Sequence, residues 1–257
     1  MIAFTESQYG KFYYWPHDQS VGQTVARGEF WDAHFRPVMD GLRLGQVMVD
    51  VGANIGFFSI YLGLRGVLVH AFEPSTDCFE LLCRNIEVNG LQGRVIAHNV
   101  PLYDRETSLT LAPAYMKDVA ANRIAEPAIL DDGRPNFETL SNTATLSLVP
   151  GNGQYTQTAY PLDSFGLVDV ALIKSDAQGC DLRVLQGARQ TISRYHPILC
   201  YEFETIPSEW HGLARSDYEQ FIAEIGYVSR SVHYEERGYT DYVATFEGKG
   251  SDGVALG

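Results

Sequence analysis

The chain has 257 residues, 45% of them hydrophobic, which is enough for one α/β domain with additions or for two small domains. It has 19 Lys and Arg residues and 32 Asp and Glu residues, so its formal net charge is −13 at pH 7. Because nucleic acids and anionic membranes bind basic surfaces, this charge disfavours both as partners. The N-terminus lacks a basic stretch followed by an apolar core, and no run of about 18 apolar residues occurs, so neither a signal peptide nor a membrane span is expected.

The four cysteines occur without a C-x-x-C pair. Cys78, Cys83 and Cys200 fall in predicted helices or strands, where a cysteine acts as a small apolar residue, whereas Cys180 lies beside a motif described below. Their spacings do not fit a zinc site. We therefore expect reduced thiols and a cytoplasmic protein.

The first 28 residues are rich in aromatic and turn residues, and the alternation around 10–15 predicts short strands or a hairpin. A helix is expected from about 28 to 42. Strand and helix patterns then alternate, and such short connections imply parallel strands with right-handed crossovers. The predicted strands are 46–51, 67–72, 94–100, 107–111 (an edge strand), 143–149, 168–175 and 197–203, and the predicted helices are 55–64, 77–89 and 181–194.

The C-terminal part of the chain has a different pattern. Ser216-x-x-Glu219 is a capping box that opens a helix to Ile225, which Gly226 ends. Residues 227–234 and 240–246 are then predicted to form an antiparallel hairpin. Such a hairpin after alternating units argues against an all-parallel dinucleotide-binding fold. In helix 77–89 the residues Phe79, Leu82, Cys83 and Ile86 are expected to form the apolar stripe.

The stretch 47–56, VMVDVGANIG, is an apolar strand ending near Asp50, a glycine-rich turn and the start of a helix. Gly52 and Gly56 suit a loop in which the backbone turns sharply and lets a ligand come close. Glu73 ends the next strand, where nucleotide-binding α/β folds hold ribose hydroxyls. The spacing is G-x-x-x-G rather than G-x-G-x-x-G, and no Gly-Lys-Ser/Thr follows, so the loop suits a nucleoside without a phosphate chain.

These residues carry a resemblance to a known family. The sequence DVGANIG, together with FEP at 72–74, resembles class I S-adenosylmethionine-dependent methyltransferases, and more narrowly the FkbM type. A second motif, IKSDAQGCDLRVLQGA at 173–188, is similar to the FkbM-type K-I-D-V-E-G-x-E-x-x-V-L-x-G-A. It departs from that pattern at Ser175, Ala177 and Gln178, the last of which replaces a usual Glu. The resemblance spans about 29–204.

The resemblance implies an α/β Rossmann-like class I methyltransferase fold. Such a fold has a mainly parallel seven-stranded sheet, a terminal antiparallel hairpin and helices on both faces. We expect a single methyltransferase domain over 1–257, with 1–45 as an N-terminal cap segment and 248–257 as a flexible tail. Residues 112–160, which prolines and glycines interrupt, are expected either to shape the acceptor pocket or to form a solvent-side excursion.

The resemblance also implies a cofactor, S-adenosyl-L-methionine, with S-adenosyl-L-homocysteine as its product. Glu73 would bind both ribose hydroxyls through charge-assisted hydrogen bonds, and the Gly52 backbone would face the methionine part. Asn54 would hold the loop or contact the methionine amino and carboxylate groups, and Asn99 would bound the adenine. The cofactor-binding residues expected on this basis are Glu29, Asp50, Gly52, Ala53, Asn54, Gly56, Phe57, Glu73, Pro74, Asn99 and Asp176.

Methyl transfer from a sulfonium is an in-line displacement, and a base helps a hydroxyl acceptor by taking its proton. Asp176, at the end of the strand predicted to lie beside the first, is the first catalytic candidate, either as that base or as an orienting group. Glu202 is the second. His211 is an alternative base, although a lone loop histidine is more often solvated. No metal is expected, because Gln178 lowers the acidic count between Asp176 and Asp181.

From the resemblance alone, the expected reaction is O-methylation of a hydroxyl on a sugar, a glycan or a small natural product. One alternative is methylation of a protein or small-molecule amine, with Glu202 and Glu204 holding the cation. No N-P-P-Y or D-P-P-Y, used on base amines, follows the fourth strand. Another alternative, motivated by the departures in the second motif, is a non-catalytic cofactor-binding protein. The oligomeric state stays open, with a homodimer as one option.

Overall fold

The structure, a computed structural model, describes residues 1–113, 117–118, 123–124, 146–151, 155–235 and 238–248. The strands are β1 Ala3–Ser7, β2 Gly10–Tyr14, β3 Val47–Val51, β4 Leu68–Phe72, β5 Val95–His98, β6 Thr107–Pro113, β7 Lys117–Asp118, β8 Arg123–Ile124, β9 Leu146–Pro150, β10 Thr156–Ala159, β11 Val170–Ser175, β12 Ile198–Glu204, β13 Tyr227–Glu235 and β14 Tyr239–Phe246. The helices are α1 Val21–Ala26, α2 Arg36–Asp40, α3 Phe57–Leu64, α4 Thr76–Val88, α5 Asp181–Gly187, α6 Arg189–Tyr195, α7 Thr205–Trp210 and α8 Arg215–Glu224, and two 3₁₀ turns lie at Ala33–Phe35 and Leu162–Phe165.

A seven-stranded sheet in the order β13-β14-β12-β11-β3-β4-β5 is the centre of the fold. The five strands from β12 to β5 pair in parallel, and β14 and β13 pair antiparallel at one edge. The chain moves outward from β3 to β5 and then returns to the other side of β3 with β11. The carboxyl ends of β3 and β11 therefore form the switch point at which open sheets bind ligands. The predicted sheet, with its terminal hairpin, is confirmed.

Two apolar cores cover the two faces of this sheet. Met48 of β3 packs in one core with Ile60 of α3 and Leu82 of α4. Its neighbour Val49 packs in the other core with Leu185 of α5. Successive side chains of a strand point to opposite faces, so both cores bury β3, and all five of its residues are buried. The expectation of helices on both faces is confirmed.

The N-terminal hairpin, β1 and β2, is confirmed and packs against α4. Asn85 of α4 and Asn89, which follows the last residue of α4, lie one turn apart and face the backbone of β2. The Asn85 Oδ1 accepts from the Tyr13 N–H at 2.6 Å, and the Asn89 Oδ1 accepts from the Lys11 N–H at 2.9 Å. Each amide nitrogen donates back to the carbonyl of the same residue. These side-chain amides thus bind the backbone of β2 to α4 and its C-terminus.

This packing rotates the buried face of α4 away from the predicted apolar stripe. Cys78 and Leu81 are buried together with Leu82, Asn85 and Ile86. Cys83, which was expected in the stripe, is exposed. The prediction was wrong at this position because β2 covers the side that carries Asn85. All four cysteines are free.

Three predicted helices differ from the structure. The helix expected over 28–42 is a 3₁₀ turn followed by the short α2, because Asp32 is left-handed (φ 44°) and a proline, Pro37, is tolerated only in a first turn. The helix expected over 181–194 is divided at Ala188 into α5 and α6. Asp163 caps α6 by accepting from the backbone N–H groups of Gln190 and Thr191.

The capping box expected at Ser216 and Glu219 is also displaced. The helix α8 begins at Arg215, and Asp217 Oδ2 accepts from the Ala214 N–H at 2.7 Å. Asp217, three residues after Ala214, thus supplies the acid of the cap, and the helix starts earlier than predicted. The Ala214 side chain offers no acceptor, so half of the usual reciprocal cap is missing.

The segment predicted to be an edge strand, 107–111, is instead the middle strand, β6, of a separate antiparallel sheet in the order β10-β6-β9. Gln157 of β10 donates through Nε2 to the Pro74 carbonyl at 2.7 Å, so this sheet packs beside the loop after β4. The other parts of 112–160, and the predicted tail from 249 onward, lie outside the described residues. None of the helices within the described ranges is long and apolar enough to cross a membrane.

Candidate active site

A cavity with about 870 Å³ of unfilled space, counting its open mouth, lies at the carboxyl ends of β3, β4 and β11. Small-molecule ligands of open α/β sheets bind preferentially at this place. Its walls come from the turn after β3, the loop after β4 and the loop after β11. Val21 and Trp31 of the N-terminal segment close it from outside the sheet, and Leu148 of β9 contributes from the second sheet. The cavity therefore lies at the predicted switch point.

The turn after β3 is built by contacts between backbones. The N–H groups of Gly52 and Ala53 both donate to the Phe72 carbonyl at 3.0 Å, and the Asp176 N–H donates to the Val51 carbonyl at 3.1 Å. Gly52 is left-handed (φ +72°), and a Cβ placed on it would lie 1.9 Å from the Asp176 carbonyl oxygen. Glycine is required here because two loops of the protein touch at this point.

We expect Gly52→Ala to lower the free energy of unfolding by about 2–4 kcal/mol, because it combines a left-handed side chain with a backbone clash. Gly45→Ala is the matched control. Gly45 is also left-handed (φ +83°) but has nothing within 4 Å of the added Cβ. It should lose only about 1 kcal/mol. Urea unfolding of the two variants measures the difference, and equal losses would contradict the assigned clash.

Glu73 directly follows β4 and faces the cavity although only 6% of it is exposed. Its Oε2 accepts from the Asn54 N–H and its Oε1 from the Ser75 N–H, both at 2.8 Å. Burial raises the pKa of this carboxyl to about 7, against the opposing effect of those N–H groups. Each oxygen keeps a second lone pair for a further donor. The arrangement offers paired acceptors for a diol.

Asn54 and Asn99 hold the loops around Glu73. The Asn54 Oδ1 accepts from the Ile55 N–H at 2.7 Å, and its backbone is left-handed (φ 51°). Asn99 donates through Nδ2 to the Glu73 and Pro74 carbonyls at 2.9 and 3.1 Å. Asn99 does not line the cavity, whereas the adjacent Val100 does. Asn99 thus holds the loop after β4, and its place beside the adenine stays a prediction.

Three other residues expected to contact the cofactor do not line the cavity. Asp50 is 1% exposed and accepts from the Ser59 hydroxyl at 2.6 Å beneath the turn. Gly56 begins α3, and a Cβ there would lie 2.5 Å from Leu82. The Glu29 side chain is exposed and pairs with Arg27 at 2.8 Å. These residues build or flank the site, while Gly52, Ala53, Asn54, Phe57, Glu73, Pro74 and Asp176 line it.

Lys174 is buried between two of the acids. Its Nζ lies 3.3 Å from Asp176 Oδ2, 4.0 Å from Asp50 Oδ1 and 5.1 Å from the centre of the Phe58 ring. Burial alone would lower the Lys174 pKa, but the charges of Asp176, Asp50 and Asp32 raise it above its ordinary value. The ammonium therefore stays charged and ties the ends of β3 and β11 together.

We expect Lys174→Met to lower the free energy of unfolding by about 3–5 kcal/mol, because it leaves the buried Asp50 carboxyl without its cation. Adding Asp50→Asn to this variant should recover part of the loss, since it removes the fully buried carboxylate and leaves only the partly exposed Asp176 without its cation. Arg27→Met, which breaks an exposed ion pair, should change stability by about 0.5 kcal/mol or less. Chemical denaturation tests all three, and a loss for Lys174→Met no larger than that of Arg27→Met would contradict the assignment.

The two predicted catalytic acids have different environments. Asp176 lines the cavity, its side chain is 24% exposed, and its Oδ1 accepts from Gln178 Nε2 at 3.0 Å. Glu202 is outside the cavity wall, and its Oε2 lies 3.5 Å from the same nitrogen. Burial and the neighbouring Glu204 raise the Glu202 pKa well above its ordinary value. Asp176 faces the cavity and Glu202 does not, so the geometry favours Asp176 as the base.

His211 was expected to be solvated, and this is wrong. It is 5% exposed, its Nδ1 lies 3.1 Å from the Tyr103 hydroxyl, and its Nε2 lies 3.1 Å from Cys180 Sγ. Burial lowers the His211 pKa to about 4. The imidazole is therefore neutral near pH 7 and a weak base. Its partners lie 108 and 31 positions away in the chain, so no local pattern indicated them.

Sequence reasoning also missed Trp31 and Asp32. Trp31 lines the cavity, and burial together with the nearby Asp176 raises the Asp32 pKa to about 7. Both fall in the segment that was predicted to be a helix from about 28 to 42. The segment does reach the site, but a regular helical pattern could not show which side chains enter it.

The parallel sheet, its antiparallel hairpin and the cavity over β3 and β4 define a class I methyltransferase fold. The sequence model of the methyltransferase FkbM domain matches residues 50–240, and the chain belongs to that family. The match includes both motifs that carried the resemblance. The family and fold predictions are confirmed.

Relatives and solved structures agree with this assignment. The 31-O-demethyl-FK506 methyltransferase FkbM of Streptomyces tacrolimicus is 28% identical over 178 residues, covering 61% of this chain and 68% of that protein. Methyltransferase sdnD of Sordaria araneosa is 28% identical over 155 residues, covering 54% of this chain and 59% of that one. The crystal structure of methyltransferase FkbM from Methylobacillus flagellatus KT has a TM-score of 0.50 at 19% identity and covers 79% of this chain and 44% of that chain. The chain thus spans less than two thirds of the last two proteins.

Proposed function

We propose that this chain is an S-adenosylmethionine-dependent methyltransferase that methylates a hydroxyl group of a sugar, a glycan or a small natural product. One observation carries the proposal. A single cavity at the switch point of the sheet has the buried Glu73 carboxyl on one side and the Asp176 carboxyl on the other. The first suits a ribose, and the second suits an acceptor that must lose a proton.

The residues on the Glu73 side fit the nucleoside. Each Glu73 oxygen carries one backbone N–H bond and can accept one hydroxyl of a ribose. Phe72, Val100 and Leu102 supply apolar surface for an adenine. The turn at Gly52 and Ala53 leaves backbone groups beside the place of the methionine part. Bound S-adenosylmethionine would supply an electrophilic methyl group on its sulfonium. The leaving group of the transfer would be the thioether S-adenosylhomocysteine.

The Asp176 side serves the acceptor. Asp176 would accept the hydroxyl proton as the acceptor oxygen attacks the methyl group. Lys174 at 3.3 Å stabilises the ionised carboxylate that this step needs. Trp31 covers the cavity from the N-terminal segment and helps to exclude water. The first relative's name, which specifies a 31-O-demethyl compound, supports an oxygen as the methylated atom.

The same geometry weighs against a cationic amine acceptor. The candidates for holding a cation are Glu202 and Glu204, and burial raises the pKa of Glu204 to about 8. The pKa of Glu202 is raised as well. Carboxyl groups that hold their protons near neutral pH are weak partners for an ammonium group.

The test is the release of S-adenosylhomocysteine from S-adenosylmethionine in the presence of acceptor panels. One panel holds glycans and hydroxylated natural products, and the other holds peptides and small amines. The proposal predicts turnover with members of the first panel and a mass increase of one methyl group on oxygen. Turnover confined to the amine panel would replace it with amine methylation. Cofactor binding without turnover on either panel would favour a non-catalytic cofactor-binding protein.

A further inference from the structure

Gln178 lies in a tightly packed part of the loop after β11. It is left-handed (φ 50°), and its carbonyl accepts from the Ser147 hydroxyl at 2.9 Å. The next residue, Gly179, is also left-handed (φ +93°), and a Cβ there would lie 2.4 Å from the Pro207 carbonyl carbon. The loop after β11 is therefore packed from two sides, and Gln178 is presented to the cavity wall.

The Gln178 amide donates into a gap between two carboxyl groups. Its Nε2 lies 3.0 Å from Asp176 Oδ1 and 3.5 Å from Glu202 Oε2. Lys174 holds the other oxygen of Asp176, Oδ2, at 3.3 Å. The Asp176 carboxylate is thus fixed by a donor at each oxygen, and the orientation of its free lone pairs toward the cavity follows from these two contacts.

The ionisable groups around this amide are mostly acids. A carboxylate in place of Gln178 would have no hydrogen to donate to Asp176 or to Glu202, and it would add a charge of the same sign. The ionisable groups that act on this region from the neighbouring elements are Asp32 of the N-terminal segment, Asp50 of β3, Lys174 and Asp176 at the end of β11, Asp181 of α5, Glu202 and Glu204 of β12, and Asp241 of β14.

We infer that Gln178 is a positioning residue that acts as an uncharged hydrogen-bond donor, aiming the Asp176 carboxylate at the acceptor while it holds Glu202 beside it. This inference rests on the proposed function, because it assigns the acceptor side of the cavity to Asp176. It also gives the departure from the usual Glu of the second motif a physical meaning. In this chain the position supplies a donor, where a glutamate would supply a further acid.

The first test needs no activity. Gln178→Glu is compared with the wild type by urea unfolding between pH 5 and pH 8. The introduced carboxyl would hold its proton more tightly in the native state than in the unfolded chain, so the native state loses stability as the pH rises above about 4.3. We expect the unfolding equilibrium constant of the variant to exceed that of the wild type by about tenfold at pH 8, with the ratio shrinking toward pH 5.

Gln186→Glu is the matched control for charge. Gln186 lies on α5, and its Oε1 accepts from Arg183 Nη1 at 3.2 Å. In Gln186→Glu the new carboxylate lies beside the Arg183 guanidinium. The stability of this variant relative to the wild type should therefore not fall as the pH rises. A penalty for Gln178→Glu that is independent of pH, or equal to that of Gln186→Glu, would overturn the placement of Gln178 between two acids.

The second test uses turnover on an acceptor found with the panels. Gln178→Met, which removes the donor without adding charge, and Gln178→Glu should both lower kcat about tenfold or more at pH 8 and leave the S-adenosylmethionine Kd within about threefold. Protonation restores a donor only in Gln178→Glu. The kcat of this variant relative to the wild type should therefore rise as the pH falls, while the ratio for Gln178→Met stays flat.

The outcomes separate the two claims. A wild-type kcat in Gln178→Met, or parallel pH dependence of the two variants, would overturn the positioning role. A wild-type protein without turnover on any acceptor would overturn the proposed function and the catalytic meaning of Gln178 with it. The unfolding series would still decide whether Gln178 lies between two acids.

Discussion

Glu73→Gln is expected to weaken S-adenosylhomocysteine binding by about 100-fold or more, because charge-assisted hydrogen bonds from two hydroxyls each contribute about 1.5–3 kcal/mol. The amide also turns an NH₂ group toward the Asn54 or the Ser75 N–H, where an oxygen now accepts. Isothermal titration calorimetry measures the change. Urea unfolding of the same sample shows whether the variant is folded.

Glu29→Gln is the control for this experiment. The Glu29 side chain is exposed, pairs with Arg27 and lies outside the cavity wall. Its loss should leave the dissociation constant within about twofold, as is usual for exposed ion pairs. If Glu29→Gln weakened binding as strongly as Glu73→Gln, the assignment of the ribose to Glu73 would fail.

The affinity should also depend on pH. Burial raises the Glu73 pKa to about 7, so the free protein carries a largely protonated Glu73 at pH 6 and an ionised one at pH 8. The ionised form accepts hydroxyl donors at both oxygens and binds more tightly. Affinity should therefore rise up to about tenfold per pH unit below pH 7 and level off above it. Calorimetry on Glu73→Gln should show no such slope between these pH values.

Asp176→Asn is expected to lower kcat by about 10²–10⁴-fold, the usual contribution of a general base, while the S-adenosylmethionine affinity stays within about threefold. The amide preserves the volume of the side chain but cannot take the acceptor proton. Steady-state turnover with an acceptor from the hydroxyl panel, together with calorimetry, measures both quantities. A fall in affinity with unchanged kcat would show instead that Asp176 orients the cofactor amine.

Glu202→Gln separates the two candidate bases. Because Glu202 lies outside the cavity wall, its replacement by the amide should lower kcat by less than about fivefold. A loss as large as that of Asp176→Asn would make Glu202 the base. Unchanged turnover in both variants would remove general-base catalysis from the account.

The elements of the central sheet could be predicted because their signals are local. Each strand of the sheet is an apolar or alternating run, and each lies within two residues of its predicted ends. Glu73 could be predicted because it ends such a run and follows the glycine turn at a suitable distance. The buried face of α4 and the cap of α6 could not be predicted from the sequence. The partners that determine them, β2 and Asp163, are distant in the chain.

Among the motif residues, too, only part of the role of each could be predicted. Asp50 and Glu73 both lie in the motifs that suggested cofactor binding, yet only Glu73 faces the cavity. Asp50 is held below it by Ser59 and lies 4.0 Å from Lys174, and Lys174 comes from a strand more than one hundred residues later. Spacing identifies the residues of a turn. It does not separate those that build the turn from those that bind a ligand.

The cavity lining that comes from outside the first motif was the least predictable part of the site. Trp31 enters from the N-terminal segment, Leu148 from the second sheet and Gln178 from the loop after β11. These residues come from three parts of the chain with no common pattern. Long-range packing therefore determines this half of the cavity, and it is also the half in which the chain departs from the usual second motif.

A crystal structure of the protein with S-adenosylhomocysteine tests the central claim most directly. We expect the two ribose hydroxyls on the Glu73 carboxylate, the adenine beside Phe72 and Val100, and the sulfur turned toward Asp176. A ligand bound with its ribose away from Glu73, or with its sulfur facing away from Asp176, would contradict the assignment of the cavity and the mechanism built on it.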